Sequence, residues 1–154
     1  MIIDQVTLVK SSFASIGPAA DAVANQFYAR LFALDPALRA LFQSDMHEQR
    51  QKLMRMLTAI VDELDRPTLI VAEVVALGQR HAGYGVLAEH YVVVEQALFW
   101  ALAQQLGEDW TEEVAAAWRA AYTLLAATMQ AASSLSHTPP GRRESPTGQG
   151  AGQQ

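Results

Sequence analysis

The chain has 154 residues, a formal net charge of −5 and no cysteine, and 51% of its residues are hydrophobic. This length predicts a single domain with a full core, and the lack of cysteine excludes disulfides, thiolate metal ligands and cysteine nucleophiles. The acidic balance argues against nucleic-acid partners. The absence of a long apolar run or of an export signal argues against a membrane association and favours the cytoplasm.

The first part of the chain predicts three helices in sequence. Apolar residues recur at helical spacing over residues 6–16, and Gly17-Pro18 ends that run. A second helix is predicted from about Ala19 to Leu34. Asp35-Pro36 then predicts an N-cap with proline in the first helical position, which opens a short helix that ends near Leu41-Phe42.

The second part continues in the same way after a polar loop over residues 43–47. The pattern predicts a long helix over about residues 48–64, another from Pro67 to near His81, and a sixth from about Glu89 to Leu106. Gly107 is expected to end the sixth helix, and Thr111 to cap a last helix that fades near Ser133.

The composition changes after that last helix. Residues 133–154 are rich in Ser, Pro, Gly and Gln and offer few apolar side chains to bury, so they are expected to be a disordered tail behind a domain over residues 1–132. No segment alternates at a period of two for long enough to predict a sheet. The expected class is therefore all-α.

Few residues in this chain are suited to chemistry. None of the four histidines lies three or four residues from another, which excludes a His-x3-His zinc site, and the sequence contains no phosphate-binding glycine loop. A cofactor held by one histidine in an apolar helical pocket, such as heme, remains possible. His81 is the candidate, because Leu77 precedes it by one turn of a predicted helix. The alternative is a partly exposed histidine whose charge suits the helix C-terminus.

The order of several short motifs resembles that of the bacterial single-domain globins. The chain is similar to the globin domain of flavohemoglobins and, more closely, to the globins of thermophilic methane-oxidising bacteria, from about Asp4 to about Ala132. That resemblance implies a globin fold, a 3-on-3 helical sandwich, with a disordered C-terminal tail. The motifs that carry it are Leu41-Phe42-Gln43, Gln49 with Leu53, Leu77-Gly78-Gln79-Arg80-His81, His90-Tyr91, and Ala117-Trp118 with Tyr122.

The same resemblance implies a site for heme b, with His81 as the proximal iron ligand. It assigns the heme contacts and, on the distal side, two residues that face the bound gas. Each assignment has an ordinary alternative: Phe42 can be part of the core, Tyr28 can point its hydroxyl to water at the helix edge, and Gln49 can be a solvated side chain. Tyr91 can be a core aromatic residue with an exposed hydroxyl. A loop slip of one residue would also replace Gln49 by Glu48 or Arg50. The implied heme contacts are Phe42, Leu53, Leu57, Leu77, His81 and Tyr91, and the distal residues are Tyr28 and Gln49.

The implied function is the binding of oxygen, carbon monoxide or nitric oxide at the ferrous iron, for storage, delivery or sensing, with no catalytic residue assigned. One alternative is a nitric oxide dioxygenase that works with a separate reductase, since the sequence has no flavin or nicotinamide fingerprint. A second alternative is a heme-free signalling module with a globin-like core. The glutamate that flavohemoglobins carry near the end of the last helix corresponds to Leu135 here, which leaves peroxidase-type chemistry in doubt.

Overall fold

The computed structural model describes residues 3–42, 45–66, 74–80 and 88–136, with side chains from residue 4 to residue 132. No strand occurs within these ranges, in agreement with the expected all-α class. Short 3-10 helices cover Gly17–Ala19, Pro36–Leu41 and Gly107–Asp109. The α-helices are α1 (Ile3–Ile16), α2 (Ala20–Leu34), α3 (Met46–Asp62), α4 (residues 74–80), α5 (Ala88–Leu106) and α6 (Glu112–Ser136).

The predicted helix signals act as expected where the structure describes them. The Asp35 carboxylate accepts a hydrogen bond of 3.2 Å from the backbone N–H of Ala37, and so caps the 3-10 helix that Pro36 opens. The Thr111 hydroxyl accepts one of 3.2 Å from the Val114 N–H at the start of α6. Gly107, with a φ of +56°, takes the left-handed conformation directly after α5.

Some boundaries differ from the prediction. Helix α3 begins at Met46, two residues earlier than expected, and α6 continues to Ser136 rather than fading near Ser133. The burial of Ala132 anchors this end of α6. The helix predicted from Pro67 to near His81 has both of its expected ends outside the described residues. The chain after Ser136 also lies outside them.

The helices pack in crossed pairs. Helix α2 packs against α5 and α3, while α1 packs against α6 and, less extensively, α3 and α5. The main core lies between these helices, and a smaller buried cluster joins Ile60, Val74, Leu77, Tyr91 and Met129. Among the described helices, none is long and apolar enough to cross a lipid bilayer.

Helix α4 lies close against α6. A Cβ atom built on Gly78 would stand 2.5 Å from the carbonyl oxygen of Met129, closer than any side chain tolerates. Glycine at this position therefore allows the two backbones to approach, which brings Leu77 to one wall of the cavity described next.

Candidate functional site

An apolar cavity lies between the main core and the smaller cluster. The space between its walls, including the part open to solvent, is about 910 Å³. Helix α3 supplies one wall through residues at helical spacing, and α4, α5 and α6 supply most of the other lining residues. Four of the predicted heme contacts line it, namely Leu53, Leu57, Leu77 and Tyr91.

Tyr28 lies in α2 and is only 5% exposed, which argues against the alternative that its hydroxyl points to water. Its ring contacts Phe27 at 4.8 Å between centroids and Phe42 at 5.5 Å, both edge-on. Phe32 completes the group at 6.0 Å from Tyr28. The Tyr28 ring is therefore held on three sides by aromatic packing.

Gln49, in the first turn of α3, lies close enough to the Tyr28 hydroxyl to affect its pKa. Burial raises the pKa of the Tyr28 hydroxyl, and the polar interaction with the Gln49 side chain lowers it by less, so the net shift is upward. The hydroxyl therefore keeps its proton throughout the neutral range and remains a hydrogen-bond donor. Of the three neighbouring candidates in this turn, Gln49 is the one that reaches Tyr28.

Tyr28, Gln49 and Phe42 do not themselves line the apolar cavity; they form a group beside it. Phe27 connects the two, because it lines the cavity and packs against Tyr28. Leu53, one turn after Gln49 on α3, is the second connection. The structure thus brings two predicted subsets together from distant parts of the chain, an apolar pocket and a polar pair next to it.

His81 lies outside the described residues, so the structure gives no position for the predicted iron ligand. Leu77, four residues earlier in α4, is described, and it is buried at the cavity wall.

Two residues at the cavity have contacts that the sequence did not predict. The Tyr122 hydroxyl donates a hydrogen bond of 2.6 Å to the backbone carbonyl of Tyr91, and burial raises its pKa well above the usual range. Trp118 donates from its indole nitrogen to the Ser12 hydroxyl at 2.9 Å. These bonds fix α6 to α5 and α1 at the cavity. The signal available in the sequence was only the Trp118-x3-Tyr122 spacing, which places both on one face of α6.

The residues present fit a heme. A porphyrin is flat and largely apolar, and a pocket for such a group has hydrophobic walls with a few placed polar groups. This cavity has walls made almost entirely of apolar side chains, as a pocket for such a group requires. Its polar neighbours are a protonated phenol and an amide, which suits a small neutral ligand.

Comparison with known proteins assigns the family. The family model for globins matches residues 25–129. This chain is a globin. The match confirms the resemblance seen in the sequence and the expected fold.

Two bacterial flavohemoproteins are among the relatives of this globin. It is 33% identical over 122 residues to a flavohemoprotein of Bordetella pertussis, covering 77% of this chain and 30% of the relative. A flavohemoprotein of Xylella fastidiosa is 32% identical over 124 residues, covering 79% of this chain and 31% of the relative. The globin thus spans less than a third of the length of these curated relatives.

A solved structure has the same fold. It is an engineered carbene transferase built on a protein described as a nitric oxide dioxygenase of Rhodothermus marinus. The two superpose with a TM-score of 0.80 at 29% sequence identity, covering 88% of this chain and 94% of the other. The globin family and the flavohemoprotein relatives imply that this chain binds heme.

Proposed function

We propose that this globin holds heme b in the apolar cavity, with His81 as the proximal ligand, and binds oxygen and other diatomic gases for storage, delivery or sensing. When bound, heme supplies an iron atom that takes up such gases. The observation that carries the proposal is the apolar cavity, with the buried Tyr28 beside it in contact with Phe27 of the cavity wall and with Gln49 as its polar neighbour. We also propose that the domain predicted over residues 1–132 ends with helix α6, which continues to Ser136.

In this proposal the cavity residues have separate tasks. Leu53 and Leu57 on α3 and Leu77 on α4 would pack against the heme and exclude water, which would slow oxidation. Tyr91 in the cavity wall and Phe42 beside it would be the aromatic heme contacts. Tyr28 holds its proton at the hydroxyl oxygen and donates it in a hydrogen bond to a polar gas ligand, with Gln49 as second donor.

One spectroscopic experiment tests the proposal. The purified protein is reconstituted with hemin, and its absorption is recorded in the oxidised, dithionite-reduced and carbon monoxide-treated forms. We expect stoichiometric binding, an intense Soret band and a shift of that band on addition of carbon monoxide. A protein that takes up no hemin would contradict the proposal and favour a heme-free signalling role.

A second candidate is a nitric oxide dioxygenase that draws electrons from a separate reductase. The description of the Rhodothermus neighbour as a nitric oxide dioxygenase favours it. Each nitrate formed consumes one nitric oxide, one oxygen and one electron, so a donor protein is required. Nitrate production that depends on an added flavin reductase and stops when oxygen is removed would support this role over simple storage.

A further inference from the structure

Arg39 makes a two-way link with Phe42 at the end of the 3-10 helix Pro36–Leu41. The Phe42 N–H donates to the Arg39 carbonyl at 3.2 Å, and the Arg39 Nη1 donates to the Phe42 carbonyl at 3.1 Å. Phe42 itself is in an extended conformation, with φ −108° and ψ 98°. Both backbone polar groups of Phe42 are therefore bonded to Arg39, which fixes the point at which its side chain leaves the backbone.

The same guanidinium also contacts a second aromatic residue. The Arg39 Cζ atom lies 5.6 Å from the centroid of the Phe32 ring, within cation–π range. Phe32 and Phe42 pack edge-on at 5.6 Å, and each of them contacts Tyr28, at 6.0 and 5.5 Å. We call Tyr28, Phe32 and Phe42 the aromatic triad. Arg39 contacts two residues of this triad, Phe32 and Phe42, and the third residue, Tyr28, carries the hydroxyl.

The triad is closed, so its rings move together. Rotation of Phe42 away from its present position removes an edge contact with Tyr28 and another with Phe32. Arg39 is exposed, so each of its contacts is weak by itself and contributes little to global stability. Its planar fork nevertheless serves both the Phe42 carbonyl and the Phe32 ring, which a single ammonium group does less well.

We propose that Arg39 is a positioning residue that holds the aromatic triad, fixes the direction of the Tyr28 hydroxyl, and thereby sets the preference for polar over apolar diatomic gases. This inference rests on the proposed function. It adds a specificity residue outside the pocket, which acts through ring packing and touches neither the heme nor the gas.

The chain offers a matched control in Arg30. This residue is also exposed, and its Cζ atom lies 5.0 Å from the Trp100 ring, so it makes the same kind of contact. No contact links it to the triad rings. Arg30→Ala therefore removes one surface charge and one cation–π contact without affecting the Arg39 link.

The experiment compares Arg39→Ala, Arg39→Lys and Arg30→Ala in two measurements. The first is the ratio of the oxygen to the carbon monoxide dissociation rates of the heme-loaded protein. The second is the NMR signal of Tyr28 in protein with ¹³Cζ-labelled tyrosine, assigned with Tyr28→Phe and recorded without any gas. We expect Arg39→Ala to raise the ratio about threefold, which corresponds to roughly 0.7 kcal/mol, and to shift or broaden the Tyr28 signal. Arg39→Lys should show at least half of this effect.

Three results would overturn the proposal. The first is an Arg39→Ala protein with a wild-type ratio and Tyr28 signal. The second is an equal effect of Arg30→Ala, which would reduce the role to surface charge. The third is full restoration by Arg39→Lys. If Tyr28→Phe itself leaves the ratio unchanged, the donor role in the proposed function fails and so does the specificity role of Arg39. The Tyr28 signal then still decides whether Arg39 positions the ring.

Discussion

Tyr28→Phe is the substitution that most directly separates the roles of the distal pair. It deletes the hydroxyl and keeps a ring of the same size, so the contacts with Phe27, Phe32 and Phe42 are preserved. The deletion leaves Gln49 without its partner at a half-buried position. Because the packing is retained, a change in gas binding reports on the hydrogen bond rather than on the shape of the pocket.

The magnitude follows from two opposing effects. A lost hydrogen bond costs about 1 to 2 kcal/mol, which predicts an oxygen dissociation rate about tenfold faster, equivalent to roughly 1.4 kcal/mol. The freed Gln49 amide can turn to the ligand and recover part of this loss. The double variant Tyr28→Phe, Gln49→Leu should therefore exceed the sum of the single effects by about 0.5 kcal/mol or more.

Stopped-flow displacement of oxygen by carbon monoxide measures these rates, and carbon monoxide dissociation is the internal control. That gas is much less polar when bound, so its rate should change far less.

Because the pKa of Tyr28 is raised, the donor proton is present at neutral pH and is lost only as the pH rises through that raised value. The wild-type oxygen rate should thus stay constant between about pH 7 and 9. Equal acceleration of both gases would mean that Tyr28 acts as a steric gate, and strict additivity in the double variant would mean that Gln49 does not share its ligand.

Three further predictions concern the frame of the cavity. Gly78→Ala should lower the free energy of unfolding by about 1 to 3 kcal/mol in urea titration and weaken hemin retention, because its methyl group meets the α6 backbone; an unchanged midpoint would contradict the close approach. Ser12→Ala should cost about 1 to 3 kcal/mol, since it leaves the Trp118 indole N–H buried without its acceptor, while Ser15→Ala serves as the surface control. Asp65→Asn should lower the melting temperature slightly at pH 7 and not at about pH 2, because the hydrogen-bonded ion pair with Lys10 lowers the pKa of Asp65. The ion pair stabilises the fold above the ordinary pKa of aspartate, and this contribution disappears as the pH falls through the lowered pKa of the folded protein. A loss that persists in acid would exclude the ion pair as its cause.

The local patterns in the sequence were sufficient for the helices and their caps. Asp35 and Thr111 act within three residues of their own position, so their chemistry is readable from the order of residues. The apolar face of α3 was equally clear, because Leu53, Leu57 and their neighbours repeat at helical spacing. The sequence alone therefore predicts the wall of the cavity that α3 supplies.

The contact between Tyr28 and Gln49 cannot be derived from local sequence patterns. It depends on how α2 and α3 meet, and the start of α3 at Met46 decides which residue of the first turn faces Tyr28. A polar loop precedes that start, and from the sequence alone a slip of one residue in this loop would put Glu48 or Arg50 in place of Gln49. The hydrogen bond from Tyr122 to the Tyr91 carbonyl also depends on tertiary packing. Its acceptor is a backbone group 31 residues away, and the type of residue at that position does not indicate it.

The central claim is that His81 holds the heme in this cavity. The most direct measurement is a hemin titration, followed by dithionite-reduced absorption spectra, of the wild type, His81→Ala and His90→Ala, with and without added imidazole. Heme binding through His81 predicts that His81→Ala loses most of its hemin affinity, that imidazole restores the Soret band, and that His90→Ala behaves like the wild type. A His81→Ala protein with wild-type hemin affinity and an unchanged ferrous spectrum would contradict the assignment.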